Sequence, residues 1–354
     1  MTIREEMNMK WKTRLCALLC TAALCVSASA FSDTTTHWAA TAIDRWSSDG
    51  VITGFEDGTF RPEQPITRGQ MASLLNKIFG WREKAPNSFT DLSDSAWYTD
   101  AILRANAAGV ILGGDGKVRP EATITRQEAA VMLYRAFKME STAGETAFTD
   151  STDIAPWAFE AVSTMSARGS INGMGDGRFA PNGQLTRAQA ATILNNIVAG
   201  FYDWAGAYSA GLSGLAVVRA PGVTLQNVTV GDILVTPAAA GSETTLTNCT
   251  VNGRLIVQCG DRFTVTQLLG RTSVARLELT GENSRVTLGS DARVGDIRIS
   301  GENASISGLP IGAAVTVEAG GVTVNGRAAA IGTVTAGEDI STSGPIIDIV
   351  VGGV

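Results

Sequence analysis

One histidine, His37, serves a chain of 354 residues, and none of its five cysteines stands in a C-x-x-C pair. That scarcity excludes a cysteine–histidine metal centre, and no metal or other cofactor is expected. Three of the cysteines, Cys16, Cys20 and Cys25, fall in the first thirty residues, so the remainder keeps only Cys249 and Cys259 and is no disulfide scaffold. If the stretch between them folds as a hairpin on Asn252-Gly253, Cys249 faces Ile256, which favours two buried thiols over a bridge. From Gly211 to Val354 there is one aromatic residue, Phe263, and no tryptophan, tyrosine, histidine, lysine or methionine. Glycan-cleaving enzymes need clustered carboxylates with a general base, and they commonly offer aromatic platforms to sugar rings. The carboxylates Asp232, Glu282, Asp296 and Glu302 sit in GD or GEN turns, where turn chemistry explains them without catalysis. Basic charge is lacking too: the formal net charge is −6, so nucleic acid is not an expected partner.

The first thirty residues read as a secretory signal peptide. Lys10, Lys12 and Arg14 precede an apolar run from Leu15 to Val26, and Ala28-Ser29-Ala30 supplies a small-residue cleavage pattern. The run is well short of the roughly 20 residues needed to cross a bilayer, so no retained transmembrane segment is expected. The large residues Leu19 and Leu24 before Cys20 and Cys25 disfavour a lipoprotein. Loss of four basic residues from 28 and two acidic from 34 leaves 24 against 32, a formal charge of −8. Such acidity opposes loose adsorption to an anionic polymer, so binding of that kind must come from locally placed arginines.

What the chain does have is a pattern used three times. RPEQPITRGQ from Arg61, RPEATITRQE from Arg119 and APNGQLTRAQ from Ala180 end the three copies. Prolines 62, 120 and 181 and arginines 68, 126 and 187 both step by 58 and then 61 residues. A fixed period means one supersecondary unit used repeatedly, each needing its neighbours to bury an apolar face. Trp38, Trp97 and Trp157 are each followed at +4 by alanine and at +5 by Ile43, Ile102 or Val162, a spacing that predicts one face of a helix. A glycine-rich turn follows (GVITGFEDG, GVILGGDG, GSINGMGDG), then a second helix opening at the Thr-Arg pair. The DG pairs at Asp57, Asp115 and Asp176 lack a D-x-D-x-D-G frame and are read as turns.

Within each tetrad the threonine (Thr67, Thr125, Thr186) and the residue three further on (Gln70, Glu128, Gln189) form a predicted capping box. The arginine between them is not explained that way, because a cation at a helix start opposes the macrodipole. Arginine suits bidentate capture of a carboxylate, which makes Arg68, Arg126 and Arg187 candidate ligand residues. The three tryptophans are equally placed for core packing or for stacking on a sugar.

These elements together, with an aspartate lead-in (Asp33, Asp91, Asp150), resemble three tandem S-layer homology domains. The tetrads TRGQ, TRQE and TRAQ depart from a TRAE form, and the second loop is one residue shorter than the first. The resemblance implies an all-α bundle of pseudo-threefold symmetry with grooves between repeats that hold secondary cell-wall polysaccharide bearing ketal-linked pyruvate. It would set Arg68, Arg126 and Arg187 toward the pyruvate carboxylate, Asp33, Asp91 and Asp150 toward sugar hydroxyls, and Trp38, Trp97 and Trp157 against the ring. The expected repeats are 31–80, 88–140 and 147–200. With no LPxTG signal, non-covalent retention at the surface of a bacterium is the expectation.

After an aromatic linker, 201–211, the language changes to short Val/Ile/Leu/Thr runs split by Gly, Asn and Asp. TLQNVTVGDILV from Thr224 recurs as TLTNCTVNGRLIV from Thr245, and LTGEN from Leu279 as ISGEN from Ile299, steps of 21 and 20. Rungs of that length predict an all-β domain over 212–354, a β-solenoid ahead of a β-sandwich. Two functions follow: a wall-anchored, non-catalytic surface protein, or a wall-anchored carbohydrate-active enzyme with its site on the β-domain. The oligomeric state is not readable.

Overall fold

A computed structural model describes residues 31–142, 144–261, 264–310, 313–326, 331–336, 340–343 and 346–351. The expected signal peptide lies outside the described residues. Among the described residues six α-helices occupy the amino-terminal half: α1 Ala40–Ser48 and α2 Arg68–Phe79, α3 Thr99–Ala107 and α4 Arg126–Ala136, α5 Pro156–Ala167 and α6 Arg187–Ile197. The positions at +4 and +5 from each tryptophan, Ala42 and Ile43, Ala101 and Ile102, Ala161 and Val162, are buried as the spacing predicts, although Trp38 and Trp97 themselves precede their helices. The tryptophans are not: Trp38, Trp97 and Trp157 are 62%, 66% and 59% exposed. All three second helices open on a complete capping box, with Thr67, Thr125 and Thr186 accepting from the backbone of Gln70, Glu128 and Gln189. The helix α2 stops at Gly80, whose φ of 59° supplies the left-handed terminator that only glycine adopts without cost.

A closed ring of backbone hydrogen bonds joins the repeats. Ile66 N–H donates to Leu185 C=O at 2.9 Å, Leu185 to Ile124 at 2.9 Å, and Ile124 back to Ile66 at 3.0 Å. Their side chains are 0–3% exposed. Around this hub each second helix starts against the next repeat: Arg68 and Gly69 N–H donate to Ala122 and Pro120, Arg126 and Gln127 to Gly183 and Pro181, Arg187 and Ala188 to Gln64 and Pro62. Helix-start donors that would otherwise be orphaned are thereby satisfied by a neighbour, and the third repeat closes on the first.

Helix α6 runs straight into the strand Val198–Tyr202, so the stretch expected as a linker carries that strand's end and a second strand, Gly206–Tyr208. From there the chain winds as a parallel β-solenoid, alternating between a ten-stranded and an eight-stranded sheet. The 21-residue step appears as the pairing Thr224↔Thr245 and the 20-residue step as Leu279↔Ile299. Inward columns such as Leu225, Leu246, Leu268, Val286 and Ile306 are at most 1% exposed. Asn227, Asn248, Asn283 and Asn303 turn the corners in left-handed backbone, φ 53–56°, which asparagine tolerates better than other non-glycine residues. Cys249 and Cys259 are free and buried, and burial pushes the Cys259 thiol up to about 12. No hairpin separates them, because the strand Thr250–Val257 runs through Asn252-Gly253.

The bundle sits on the outer face of the first coils. The outward register column runs Phe201, Val217, Leu234, Ile256, then Glu278, Arg298 and Thr316. Val217, Leu234 and Ile256 belong to the bundle's own apolar core, and the column turns polar where the bundle ends. Arg254, 6% exposed, seals the margin with ion pairs to Asp232, Glu140 and Glu278 and a bond to Lys138 C=O.

Because stacked coils contact mainly their neighbours, removing one full coil away from the bundle leaves a shorter solenoid. Deleting 286–305, which joins Arg285 to Ile306 and so puts Ile306 in the place of its register partner Val286, is expected to keep a cooperative unfolding transition and a β circular-dichroism spectrum. Deleting only 286–295 is expected to lose both; equal loss in the two deletions contradicts the coil period.

Candidate inter-repeat binding grooves

Each tetrad arginine reaches out of its own repeat. Arg68, Arg126 and Arg187 donate through Nε to the carbonyls of Val118, Phe179 and Phe60 at 2.8, 2.7 and 2.8 Å. Arg126 and Arg187 then use Nη2 on the loop carbonyls of Asn172 and Thr53, both at 2.7 Å. These contacts give a cation at a helix start a structural use: each side chain staples its repeat to the next, and those of Arg126 and Arg187 also reach the next glycine loop. Arg126 is only 4% exposed, and Arg187 is half-buried. Neither has a carboxylate within 4.0 Å among the described residues, whereas Arg68 pairs with Glu128 at 2.9 Å. Burial pushes the guanidinium pKa of Arg126 and Arg187 down, partly offset by the more distant Asp150 and Asp33 charges. Their planes lie over the Phe179 and Phe60 rings, at 4.8 and 4.3 Å.

The lead-in aspartates accept backbone bonds from the chain after each glycine loop. Asp33 accepts the N–H groups of Phe60 and Arg61 at 2.8 and 2.7 Å, Asp91 those of Val118 and Arg119 at 2.9 and 2.8 Å, and Asp150 those of Phe179 and Ala180 at 2.8 Å. The second residue of each pair has φ between 51° and 56° without being glycine. The carboxylates thus hold a strained turn shut, and they do not line the two grooves described next. Burial pushes Asp33 and Asp91 up, but the backbone bonds outweigh it and hold both below the usual carboxylate range.

Two grooves open beside the arginines. The first, about 260 Å³, runs along α2 past Gln70, Ser73 and Lys77, with Arg187 and the Thr53–Phe55 loop at one wall and Trp97 at the other. The second, about 390 Å³, runs along α6 past Gln189, Thr192 and Asn196, with Arg126, the Asn172–Met174 loop, Trp38 and Glu63. Each therefore combines residues of all three repeats: an arginine, a polar helix stripe with its loop, and an exposed indole. The polar stripe was legible as a three- and four-residue spacing on the far side of the apolar one, but composition alone did not mark it as a site.

The S-layer homology domain model matches residues 30–72, 88–130 and 147–191. The amino-terminal half carries three tandem S-layer homology domains. Among curated relatives, this half is 33% identical over 174 residues to the exoglucanase XynX of Acetivibrio thermocellus, covering 48% of this chain and 16% of that protein. It is 32% identical to a cellulosome-anchoring protein of the same organism, covering 41% and 34%, and 29% identical to the surface-layer 125 kDa protein of Lysinibacillus sphaericus, covering 42% and 13%. The chain thus spans only a minor part of each relative. The three S-layer homology domains and the S-layer relatives point to a secreted protein of the bacterial cell surface or wall. No described helix is long and apolar enough to cross a membrane.

Two outcomes follow from this geometry. Dipole reasoning alone expects Arg126→Ala to leave stability unchanged, but the variant strands the Phe179 and Asn172 carbonyls, so a loss of about 2 kcal/mol or more is expected in urea unfolding. Unchanged stability refutes the staple. The Asp33 and Asp91 clamps contribute stability that is complete above the ordinary carboxylate pKa, about 4, and lost as pH falls through their depressed values. The double variant Asp33→Asn/Asp91→Asn is therefore expected to be less stable at pH 7 and to show a flatter loss of stability below pH ~4; an acid profile parallel to the parent's contradicts the clamp.

Proposed function

We propose that the protein is held on the wall non-covalently, through an acidic secondary wall polysaccharide seated in the inter-repeat grooves, and that its solenoid is a rigid, non-catalytic display module. The observation that carries the reading is the pairing, within one groove, of a buried arginine lacking a carboxylate partner with an exposed indole. An anion entering there meets a guanidinium whose position folding has already fixed through the Phe179 and Asn172 carbonyls, and the indole offers a sugar an apolar face. Ketal-linked pyruvate supplies such an anion on a sugar ring. Cell-wall anchoring is supported by the S-layer homology domains and by relatives named as S-layer and cellulosome-anchoring proteins.

A second reading makes the chain a wall-anchored enzyme, since some relatives are named as enzymes. Its site would be the solenoid cleft of about 320 Å³ lined by Arg276, Glu278, Asp296, Arg298 and Glu318. Burial holds Glu278 above the usual carboxylate range, as a general acid requires. Its oxygens, however, face Arg254 and Arg276, and Glu318 faces Arg298, so ion pairing accounts for the cluster. We favour the display module.

The full chain is expected to bind purified sacculi and to be released once the acid-labile, pyruvate-bearing polymer is stripped. Equal retention on stripped peptidoglycan contradicts the anchor, and cleavage of wall or plant polysaccharides that Glu278→Gln abolishes favours the enzyme.

A further inference from the structure

Two walls of the Arg187 groove run down to the first corner of the solenoid. One is α2 from Gln70 to Lys77, about 10 Å at 1.5 Å per residue, so more than one sugar ring fits along it. At its foot Lys77 C=O accepts Arg219 Nε at 2.6 Å. The other is the loop from Val51 to Thr53, which follows Asp49 at the end of α1. Burial pushes the Asp49 carboxyl up, an effect offset by the Arg45 charge and reinforced by that of Asp203. Asp203 is itself ion-paired with Arg219, so one ion pair meets the foot of both walls. Next to it in the chain stands Trp204, whose 78% exposure is the highest of any large apolar side chain among the described residues. Its backbone is held on both sides. Trp204 C=O accepts the Tyr208 hydroxyl at 2.8 Å, the Tyr208 ring packs 4.7 Å from that of Tyr202, and Asp203 is tied to Arg219. The Arg126 groove ends differently: Asn196 stands where α2 has Lys77, and α6 passes without a break into the strand Val198–Tyr202.

We infer that the Arg187 groove continues onto the solenoid, and that Trp204 is a further carbohydrate subsite, taking a sugar of the acidic wall polysaccharide beyond the one held at Arg187 and Trp97. The inference rests on the reading of the grooves as sites for that polymer. Continuity fixes the occupant: a strand lying along α2 leaves the groove past Lys77, and the corner it reaches is the one that carries Trp204. Charge agrees. Lys77 is a cation on the path, and the two carboxylates of the corner, Asp49 and Asp203, each face an arginine, Arg45 and Arg219. An indole suits such a subsite because a sugar ring lays an apolar face on it while its hydroxyls stay in water. Trp97 and Trp204 then hold successive parts of one strand, and the second contact gains from the effective concentration that the first creates. The solenoid is in this way part of the anchor as well as its cargo.

Two probes are titrated into the full chain with ¹⁵N-labelled indoles: a methyl hexosamine glycoside bearing ketal-linked pyruvate, and an oligosaccharide of the wall polymer that ends in the same pyruvylated sugar. Trp97 reports the Arg187 groove and Trp38 the Arg126 groove. Trp97 is expected to shift with both probes, and Trp204 with the oligosaccharide alone. Trp204→Ala, a change at an exposed side chain, is expected to weaken the oligosaccharide affinity read at Trp97 at least fivefold. It leaves the affinity for the monosaccharide and the Trp38 response unchanged. Trp97→Ala is expected to weaken the Trp204 response at least fivefold, because one strand spans both rings. Three results overturn the inference: Trp204 silent while Trp97 responds to the oligosaccharide, Trp97 silent while Trp38 responds, or a Trp204 response untouched by Trp97→Ala. Silence of Trp38 and Trp97 with both probes overturns instead the underlying reading that the grooves bind this sugar class.

Discussion

Everything in the amino-terminal half depends on three buried hydrogen bonds that run in a circle through Ile66, Leu185 and Ile124. An open array of repeats leaves two unpaired ends, but a ring leaves none, and its closure makes the third repeat support the first. The tetrads extend that closure outward. Threonine and its Gln or Glu partner cap the helix from within, while the arginine and the first two helix N–H groups reach the following repeat. The same residues therefore fix the spacing between repeats and form the walls of the grooves. A groove made this way is as rigid as the bundle, which lowers the ordering cost of binding.

Much of this was written plainly in the chain. The matched prolines and arginines give the repeat, the Thr–x–x–Gln/Glu spacing gives the caps, and steps of 20 and 21 residues give the coils. What escaped a linear reading shares one physical property, long sequence separation. Arg187 bonds a carbonyl 127 residues away and Arg126 one 53 away, and nothing local distinguishes such a staple from a ligand arginine. Asp91 was legible as a repeated position, but the left-handed turn at Arg119 that requires it was not. Leu234 and Ile256 alternate with inward neighbours as any buried strand does, so the docking of the solenoid on the bundle had no separate signal. The helix-to-strand switch at Ile197-Val198 lies between two β-branched residues that suit either state.

That docking gives the molecule its form as a surface protein. The helix α6 passes directly into the first coil, and the apolar column Val217, Leu234, Ile256 locks the coil to the bundle that carries the grooves. Where the bundle ends, the same column becomes Glu278, Arg298 and Thr316, a polar face suited to water. A module so fixed is held at a set orientation to whatever the grooves hold.

We propose that a carboxylate on a sugar, recognised by the groove arginines, holds the protein on the wall. The most direct measurement is competitive release of the full chain from sacculi by a pyruvate-ketal glycoside and by the methyl ester of that glycoside. Release by the free acid is expected, with at least a tenfold higher concentration of the ester needed for the same effect. Equal release by acid and ester contradicts it.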